Sequence, residues 1–246
     1  MEIVRSTNMF SRGHKPVWID IAARFSDDRD CLAAFLAFEA AEVLSGVKPS
    51  ALINLPDRQR SCGKNFFSIW KEHGQDLIRE SALEGTVLVE RPGSLLLFLY
   101  DRGALCSLLD EKKVVAMLRK AGYVGELDPD SLLKELSSRF GSGAVPHEIG
   151  IILGYPLKDV AGFMGISRRQ FSCQGPWKIY GNPQESLLLA ETHRQCRSRM
   201  AGRLLSGWGP YQCLGFSHST VDTFQKGFFC SASENESQYR NRELAA

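Results

Sequence analysis

An unbroken apolar run, LLLFL at residues 95–99, constrains the fold more than any other feature of the sequence. It follows the turn sequence RPGS at residues 91–94, where proline presets φ at the second position and glycine accepts a positive φ at the third. Residues 86–90 precede this turn and complete a predicted antiparallel hairpin. Because the apolar run does not alternate with polar residues, we expect helices on both faces of this strand and a central place for it in the sheet.

Helix signals surround the hairpin. Asp27 and Asp28 can cap a helix over residues 31–44, and Asp128 with Pro129 marks the start of another helix that ends at Gly141. The apolar spacing predicts further helices at residues 105–118, 146–153, 156–164 and 183–204, and a strand at residues 177–180. We therefore predict an α+β fold, with a small antiparallel or mixed sheet covered by helices, in a single domain over residues 15–208.

The last part of the chain lacks this periodicity. Beyond Trp208, glycine, serine, threonine and glutamine accumulate and the apolar pattern fails. Segments of this composition bury too little apolar surface to offset the entropy lost on ordering. We expect residues 209–246 to form a flexible C-terminal tail, loosely attached to the domain.

The composition narrows the classes of function. Lysine and arginine number 30 against 28 aspartate and glutamate, a net charge of +2, so the chain as a whole is not built to coat a polyanion. Its seven cysteines form no CxxC pair, and an odd number cannot close completely into disulfides, which favours reduced thiols in the cytoplasm. The apolar runs are far shorter than the roughly 20 residues of a membrane span. We expect a cytoplasmic protein without a membrane segment.

Special residues are densest between residues 146 and 181. This region carries PHEIG at 146–150, LGYP at 153–156, DV at 159–160, GF at 162–163 and GPWKIYG at 175–181, and SGVKPSAL occupies 45–52. In this order the segments resemble an uncharacterised protein family, a domain of unknown function found mostly in anaerobic bacteria. The resemblance implies a shared fold over most of residues 30–205 and a link to metal or redox metabolism, but no established activity. The chain departs from the family at residues 39–43 and at Gln174, where the family often carries cysteine.

The segment PHEIG places His147 and Glu148 in the first turn of a predicted helix. The helix dipole favours a carboxylate there, and the free backbone N–H groups can hold an anion. A metalloprotease HExxH motif would need a second histidine at the place of Ile151, so that chemistry is excluded.

We predict a ligand-binding pocket between the two short helices of residues 146–164 and the strand at residues 177–180. Tyr155 and Trp177 would provide stacking area, Lys178 would pair with an anion, and His147 would supply a pH-sensitive hydrogen bond. The predicted ligand-binding set is His147, Glu148, Tyr155, Asp159, Trp177, Lys178 and Tyr180. The function predicted from it is a small-ligand or cofactor-binding accessory protein with no metal site. The simpler interpretation is that the prolines and Gly154 only shape two abutting helices. The identity of the ligand, any reaction and the oligomeric state stay open.

A different interpretation comes from residues 159–171, which resemble a helix-turn-helix. Its second helix would present Arg168, Arg169 and Gln170 to phosphates and base edges. Against it, Gly175-Pro176 would stop that helix after barely two turns, and the chain is not strongly basic. A DNA-binding regulator is therefore kept as an alternative.

Two cysteines define a third interpretation, a cysteine-dependent enzyme. Cys62 lies among Arg58, Arg60 and Lys64, whose positive charges favour a reactive thiolate, and Cys173 is the second candidate nucleophile. The sequence identifies no base to activate either thiol.

The last predicted helix has an apolar face and a basic face. The apolar face carries Leu189, His193, Cys196, Met200 and Leu204. We expect this histidine and cysteine in the core rather than on zinc, because their neighbours are apolar. The basic face carries Arg194, Arg197 and Arg199, and we expect water to solvate it.

Overall fold

A computed structural model describes residues 18–143 and 145–216. The helices are α1 (Trp18–Ala22), α2 (Asp28–Glu39), α3 (Ala41–Leu44), α4 (Phe66–Ile69), α5 (Gln75–Glu80), α6 (Arg102–Asp110), α7 (Lys112–Lys120), α8 (Pro129–Gly141), α9 (Ile149–Ile152), α10 (Leu157–Phe163), α11 (Gln184–Leu205) and α12 (Pro210–Cys213), with a π-helical turn at Trp70–Gly74 between α4 and α5. The strands are β1 (Ser50–Pro56), β2 (Glu84–Arg91), β3 (Ser94–Tyr100), β4 (Phe171–Gln174) and β5 (Lys178–Tyr180). The predicted α+β class is confirmed.

A three-stranded antiparallel sheet forms the centre of the fold, in the order β1-β3-β2. The hairpin of β2 and β3 confirms the predicted one, and Gly93 at its turn has a φ of 81°. The central position of β3 is also as predicted. The sequence analysis did not identify β1, although Ala51, Ile53 and Leu55 alternate inward in the usual pattern of a strand with one buried face.

Two hydrophobic cores lie on opposite faces of β3. Leu95, Leu97 and Leu99 pack into the first core, which contains residues of α2 and α11. Phe98 and Tyr100 point to the other face and pack with residues of α6, α7 and α8. Since successive side chains of a strand point to opposite faces, one unbroken apolar run serves both cores. Each such side chain contributes about 2 kcal/mol when fully buried.

Two predicted helices are each divided in the structure. The helix predicted over residues 31–44 ends at Glu39 and resumes at Ala41. The helix predicted over residues 105–118 breaks at Glu111, whose φ of −71° and ψ of 114° are extended. The spacing explains this second break: Leu105 and Leu109 are buried from α6, and Val114 lies five positions further on, out of phase with a continuous helix. The break at Glu111 turns the chain so that the apolar side chains of α7 point into the core.

The second helix of the predicted helix-turn-helix is not formed. Gly165, with a φ of 71°, ends α10, and the backbone N–H groups of Ile166 and Ser167 both donate to the carbonyl of Ala161. The residues that follow lead directly into β4, so the prediction that Arg168, Arg169 and Gln170 lie on a recognition helix is wrong. The DNA-binding alternative loses its structural basis in this segment.

The predicted start of the C-terminal tail, residue 209, also needs correction. Helix α12 packs against α2, and Leu214 and Phe216 are buried in the first core. The backbone N–H of Ala82 donates to the carbonyl of Leu214 at 3.0 Å. The apolar residues of this short stretch therefore hold it in place despite its low periodicity. The rest of the predicted tail, residues 217–246, lies outside the described residues, as do residues 15–17 of the predicted domain.

Helix α11 is the longest helix of the described part. His193, Cys196, Met200 and Leu204 are buried along one side of it, as predicted. Arg194 and Arg199 are exposed, as predicted, whereas Arg197 is half-buried and forms ion pairs with Glu39 and Glu42. Nowhere in residues 18–143 and 145–216 is a helix long and apolar enough to cross a bilayer.

Two glycines with positive φ provide a matched test of the packing between the turn after α9 and the residue before β1. An added Cβ at Gly154 (φ 75°) would lie 2.8 Å from Cδ of Pro49, whereas Gly46 (φ 68°) faces open space. We expect both Gly154→Ala and Gly46→Ala to lose about 1–2 kcal/mol to backbone strain. Gly154→Ala should lose about 1 kcal/mol more, because the proline ring cannot move aside as a flexible side chain would. Urea unfolding measures both, and equal losses would contradict this packing.

Candidate functional site

The motif segments of the sequence form three regions, residues 45–52, 146–163 and 175–181, which meet in space. Ser50, at the start of β1, donates a buried hydrogen bond from Oγ to the carbonyl of Ile152 in α9 at 2.7 Å. Helix α10 contacts β5 closely: Gly162 lies so near Tyr180 that an added Cβ would be 2.4 Å from the tyrosine ring. These contacts hold residues 45–52, the paired helices α9 and α10, and strand β5 together.

A cavity of about 430 Å³ lies between α9, α10 and β5. Five of the seven residues predicted to bind a ligand line it: His147, Tyr155, Asp159, Trp177 and Lys178. Most of the remaining wall is apolar, and the sequence analysis did not assign it to the site: Val145, Pro146, Ile149, Gly150, Val160 and Phe163. Phe163 belongs to the GF motif, and this place in the motif was the sequence signal that could have identified it.

Aromatic rings form two pairs in the cavity wall. Tyr155 and Trp177 are stacked, with ring centroids 4.6 Å apart and planes 18° apart. His147 and Phe163 make an edge-to-face contact, with centroids 4.9 Å apart and planes 89° apart. Tyr155 and Trp177 thus stack on each other, their predicted stacking against a ligand stays a prediction, and a second aromatic pair lines the same cavity.

Two nitrogen-bearing side chains lie at the exposed edge of the cavity. Nζ of Lys178 is 5.5 Å from the centroid of the Phe163 ring, and His147 packs against the same ring. Both side chains are exposed, and neither forms a hydrogen bond or ion pair with another residue of the described part. Their donor groups are free to meet a ligand.

Asp159, in contrast, has no capacity left for a ligand. Its buried carboxylate accepts hydrogen bonds from Oγ of Ser186 (2.6 Å), Nε1 of Trp177 (2.8 Å), the backbone N–H of Tyr180 (2.9 Å) and Nζ of Lys158 (3.0 Å). These four donors occupy the approximately four acceptor positions of a carboxylate. Asp159 therefore fastens β5 and the indole of Trp177 to α10, and its predicted contact with a ligand is replaced by a positioning role.

The charge of Asp159 is maintained in this buried position. Burial by itself would raise the pKa of the carboxyl group, but the hydrogen bonds from Ser186, Tyr180, Trp177 and Lys158 outweigh it and hold the pKa below its usual value. No sequence signal identified Ser186, because its position near the start of α11 is typical of an ordinary helix residue.

Two of the predicted ligand-binding residues do not line the cavity. Glu148 is buried and accepts a hydrogen bond from Nη1 of Arg139 at 2.9 Å, which ties α8 to the turn before α9. Arg139 in turn stacks over the ring of Tyr123. Tyr180 packs on Gly162 and Phe171. Both predicted residues act in the framework around the site.

A group of charged side chains, of which Glu42 and Lys48 are buried, lies directly behind the aromatic wall. Arg197 donates from Nε to Oε1 of Glu42 at 2.8 Å and lies 3.5 Å from Glu39. Nζ of Lys48 lies 5.6 Å from the centroid of the Tyr155 ring. Oε2 of Glu42 and Nε2 of His193 are buried without a hydrogen-bond partner among the described residues. No pattern in the sequence predicts that these groups meet.

His193 lies in this charged interior, with its ring 5.8 Å from that of Trp177. Burial, assisted by the positive charges of Lys48 and Arg197 and opposed by Glu42, lowers the pKa of His193 from 6.5 to about 4. The imidazole is therefore neutral at pH 7. Nowhere in the described ranges do three or more histidine, cysteine, aspartate or glutamate side chains group together as metal ligands would.

The two candidate thiols lie away from the cavity. Cys62 packs at the edge of the first core, and Cys173 lies in β4 opposite Ile179. Of the cations predicted to activate Cys62, Lys64 forms an ion pair with Asp28, and the guanidinium of Arg60 lies over the ring of Phe35. A reactive thiol at Cys62 or Cys173 stays a prediction.

These features define a class: a single-domain α+β protein with an apolar cavity edged by a lysine and a histidine. The sequence profile of a family described as "Protein of unknown function (DUF3793)" matches residues 36–213. The match covers well over half of the chain, so the chain belongs to this family, and the predicted resemblance to an uncharacterised family is confirmed. No curated protein and no solved structure matches the chain.

The hydrogen bonds of Asp159 make Asp159→Asn a sharp test of its positioning role. All four partners are donors, so the amide nitrogen of asparagine would face a donor, and Lys158 would lose its buried counter-charge. We expect the free energy of unfolding to fall by about 3–5 kcal/mol. The matched control is Asp130→Asn, at an exposed ion pair with Arg102, which should cost at most about 1 kcal/mol. Similar losses in urea unfolding would show that Asp159 has no special role.

His193 predicts a pH dependence of stability. Because burial lowers its pKa to about 4 from 6.5, the unfolded chain takes up a proton first as the pH falls through this window, and folding loses stability there. We expect the wild-type protein to be about 2 kcal/mol less stable at pH 4.5 than at pH 7 through this group alone. His193→Gln should remove this part of the pH dependence in urea unfolding. The same slope in both proteins would exclude His193 as its source.

Proposed function

We propose that this protein binds a small ligand with an apolar body and an anionic group, in the cavity between α9, α10 and β5. The observation that carries the proposal is an apolar cavity with two nitrogen-bearing side chains at its edge, Lys178 and His147. Neither side chain forms a hydrogen bond or ion pair with another described residue. The volume of about 430 Å³ is in the range of sites for small molecules.

The apolar wall supports an apolar ligand body. Ile149 and Val160 are buried beside the stacked rings of Tyr155 and Trp177, and Val145 and Phe163 extend the wall towards solvent. Burial of ligand surface here gains about 25 cal/mol for each Å² of apolar area removed from water. A purely polar ligand would gain nothing from this wall.

The distribution of charge supports an anionic group. Glu148 and Asp159 are the acidic residues between positions 145 and 181, and both are buried and paired with cations. The exposed cations of the same region are Arg168, Arg169 and Lys178. Of these three cations Lys178 lines the cavity, and its positive charge attracts an anion and disfavours a cation.

The site is organised before a ligand arrives. Asp159 holds the indole of Trp177 through Nε1, and Trp177 in turn stacks on Tyr155. A ligand would therefore lose little free energy in ordering the wall. His147 and Lys178 have no orienting hydrogen bond from a described residue, whereas a catalytic base normally has one. The lining thus supports binding by an accessory protein rather than a reaction, and the link to metal or redox metabolism in the cytoplasm stays a prediction.

The dye 8-anilinonaphthalene-1-sulfonate has an apolar body and one sulfonate, and it tests the proposal by fluorescence titration. We expect saturable binding of one dye per chain. Lys178→Met should weaken this binding about tenfold, because a charge-assisted contact contributes about 1.5 kcal/mol. Val145→Trp, at an exposed wall position, should weaken it by filling the mouth.

The matched control for the charge is Lys134→Met on the exposed side of α8, which should leave dye binding unchanged. Near-native far-UV circular dichroism of every variant shows that the fold is intact. Dye binding that responds to neither Lys178→Met nor Val145→Trp would place the dye elsewhere and overturn the proposal.

A further inference from the structure

We infer that the ligand is an aromatic acid, a flat ring system that carries a carboxylate or similar anionic group. The inference rests on the proposed function and specifies the ligand of the same cavity. It follows from the direction in which the aromatic side chains of the wall present their rings.

Tyr155 presents an edge, not a face, to the cavity. Trp177 is stacked on one face of the tyrosine ring at 4.6 Å. Nζ of Lys48 lies over the ring at 5.6 Å, and the stacked indole leaves space for it on the opposite face only. Both faces therefore have a partner from within the protein, which leaves the rim of Tyr155 for a ligand in the cavity.

A ring edge is a selective surface. The hydrogen atoms at the edge of an aromatic ring carry partial positive charge, and the face of another aromatic ring carries partial negative charge. The edge-to-face arrangement is consequently favoured between aromatic groups, beyond what burial of their area provides. A saturated ligand of the same shape gains the burial but not this contact.

The second aromatic pair places the anion. His147 and Lys178 both approach the ring of Phe163, at 4.9 Å and 5.5 Å from its centroid. A flat ligand against the edge of Tyr155 can extend towards Phe163 and bring an anionic substituent to both donors. Charge-assisted hydrogen bonds from Nζ and from an imidazole N–H suit a carboxylate.

A fatty acid is the main competing ligand, since Val145, Ile149 and Val160 also line the cavity. Its flexible chain would fill an aliphatic tunnel, whereas four aromatic or heteroaromatic rings contribute to this wall. Two matched acids distinguish the classes. 2-Naphthoate and decahydro-2-naphthoate have the same carbon skeleton and the same charge, and the first alone is aromatic.

Isothermal titration calorimetry with these two acids tests the inference on the wild-type protein. We expect 2-naphthoate to bind about tenfold more tightly than decahydro-2-naphthoate, the gain of one or two edge-to-face contacts. The neutral 2-naphthamide should bind about tenfold more weakly than 2-naphthoate. Phe163→Leu should reduce the preference for the aromatic acid. Phe171→Leu, an equally conservative change at an exposed ring outside the cavity, should leave it unchanged.

The outcomes separate the two proposals. Equal affinities for the two acids, with binding still dependent on Lys178, would overturn the aromatic inference and keep the proposed anion-binding cavity. Tighter binding of decanoate than of 2-naphthoate would also overturn it, in favour of an acyl chain. Binding of none of these acids, together with failure of the dye titration, would overturn both.

Discussion

The arrangement around the cavity depends on one buried carboxylate. Asp159 joins three segments of the chain, because its partners belong to α10, to β5 with its preceding tryptophan, and to the start of α11. A buried carboxylate is costly unless donors surround it, and here four donors from these three segments do so. The network therefore stabilises one arrangement of these segments and penalises any other.

The sequence predicts those parts of the fold that local chemistry determines. The apolar run of β3, the turn at Gly93 and the cap at Asp128 each have a local cause, and each is found as predicted. The break at Ala40 depends on which side of the sheet each segment must cover, and that information lies in long-range packing, which a single sequence does not display. The break at Glu111 and strand β1 have local signals, the phase shift at Val114 and the alternation of Ala51, Ile53 and Leu55, whose meaning becomes clear only when the direction of the core is known.

The same limit applies to the site. His147, Tyr155, Trp177 and Lys178 lie around one cavity, and the motifs that contain them predict this arrangement. Glu148 faces Arg139 instead, since a carboxylate so deeply buried needs a cation, and the sequence cannot tell that this cation lies nine residues earlier. Ser186 completes the hydrogen-bond network of Asp159 from 27 residues further along the chain, and no sequence motif identifies it.

The shared strand β3 couples the two halves of the domain. Its alternate side chains belong to two different cores, so neither core can melt while the other keeps its full set of contacts. Local opening of either side would expose apolar side chains of the same strand, and cooperative unfolding of the whole structure then costs less free energy. A molecule bound at the cavity, which borders only the second core, would accordingly protect backbone amides on the far side of the sheet as well.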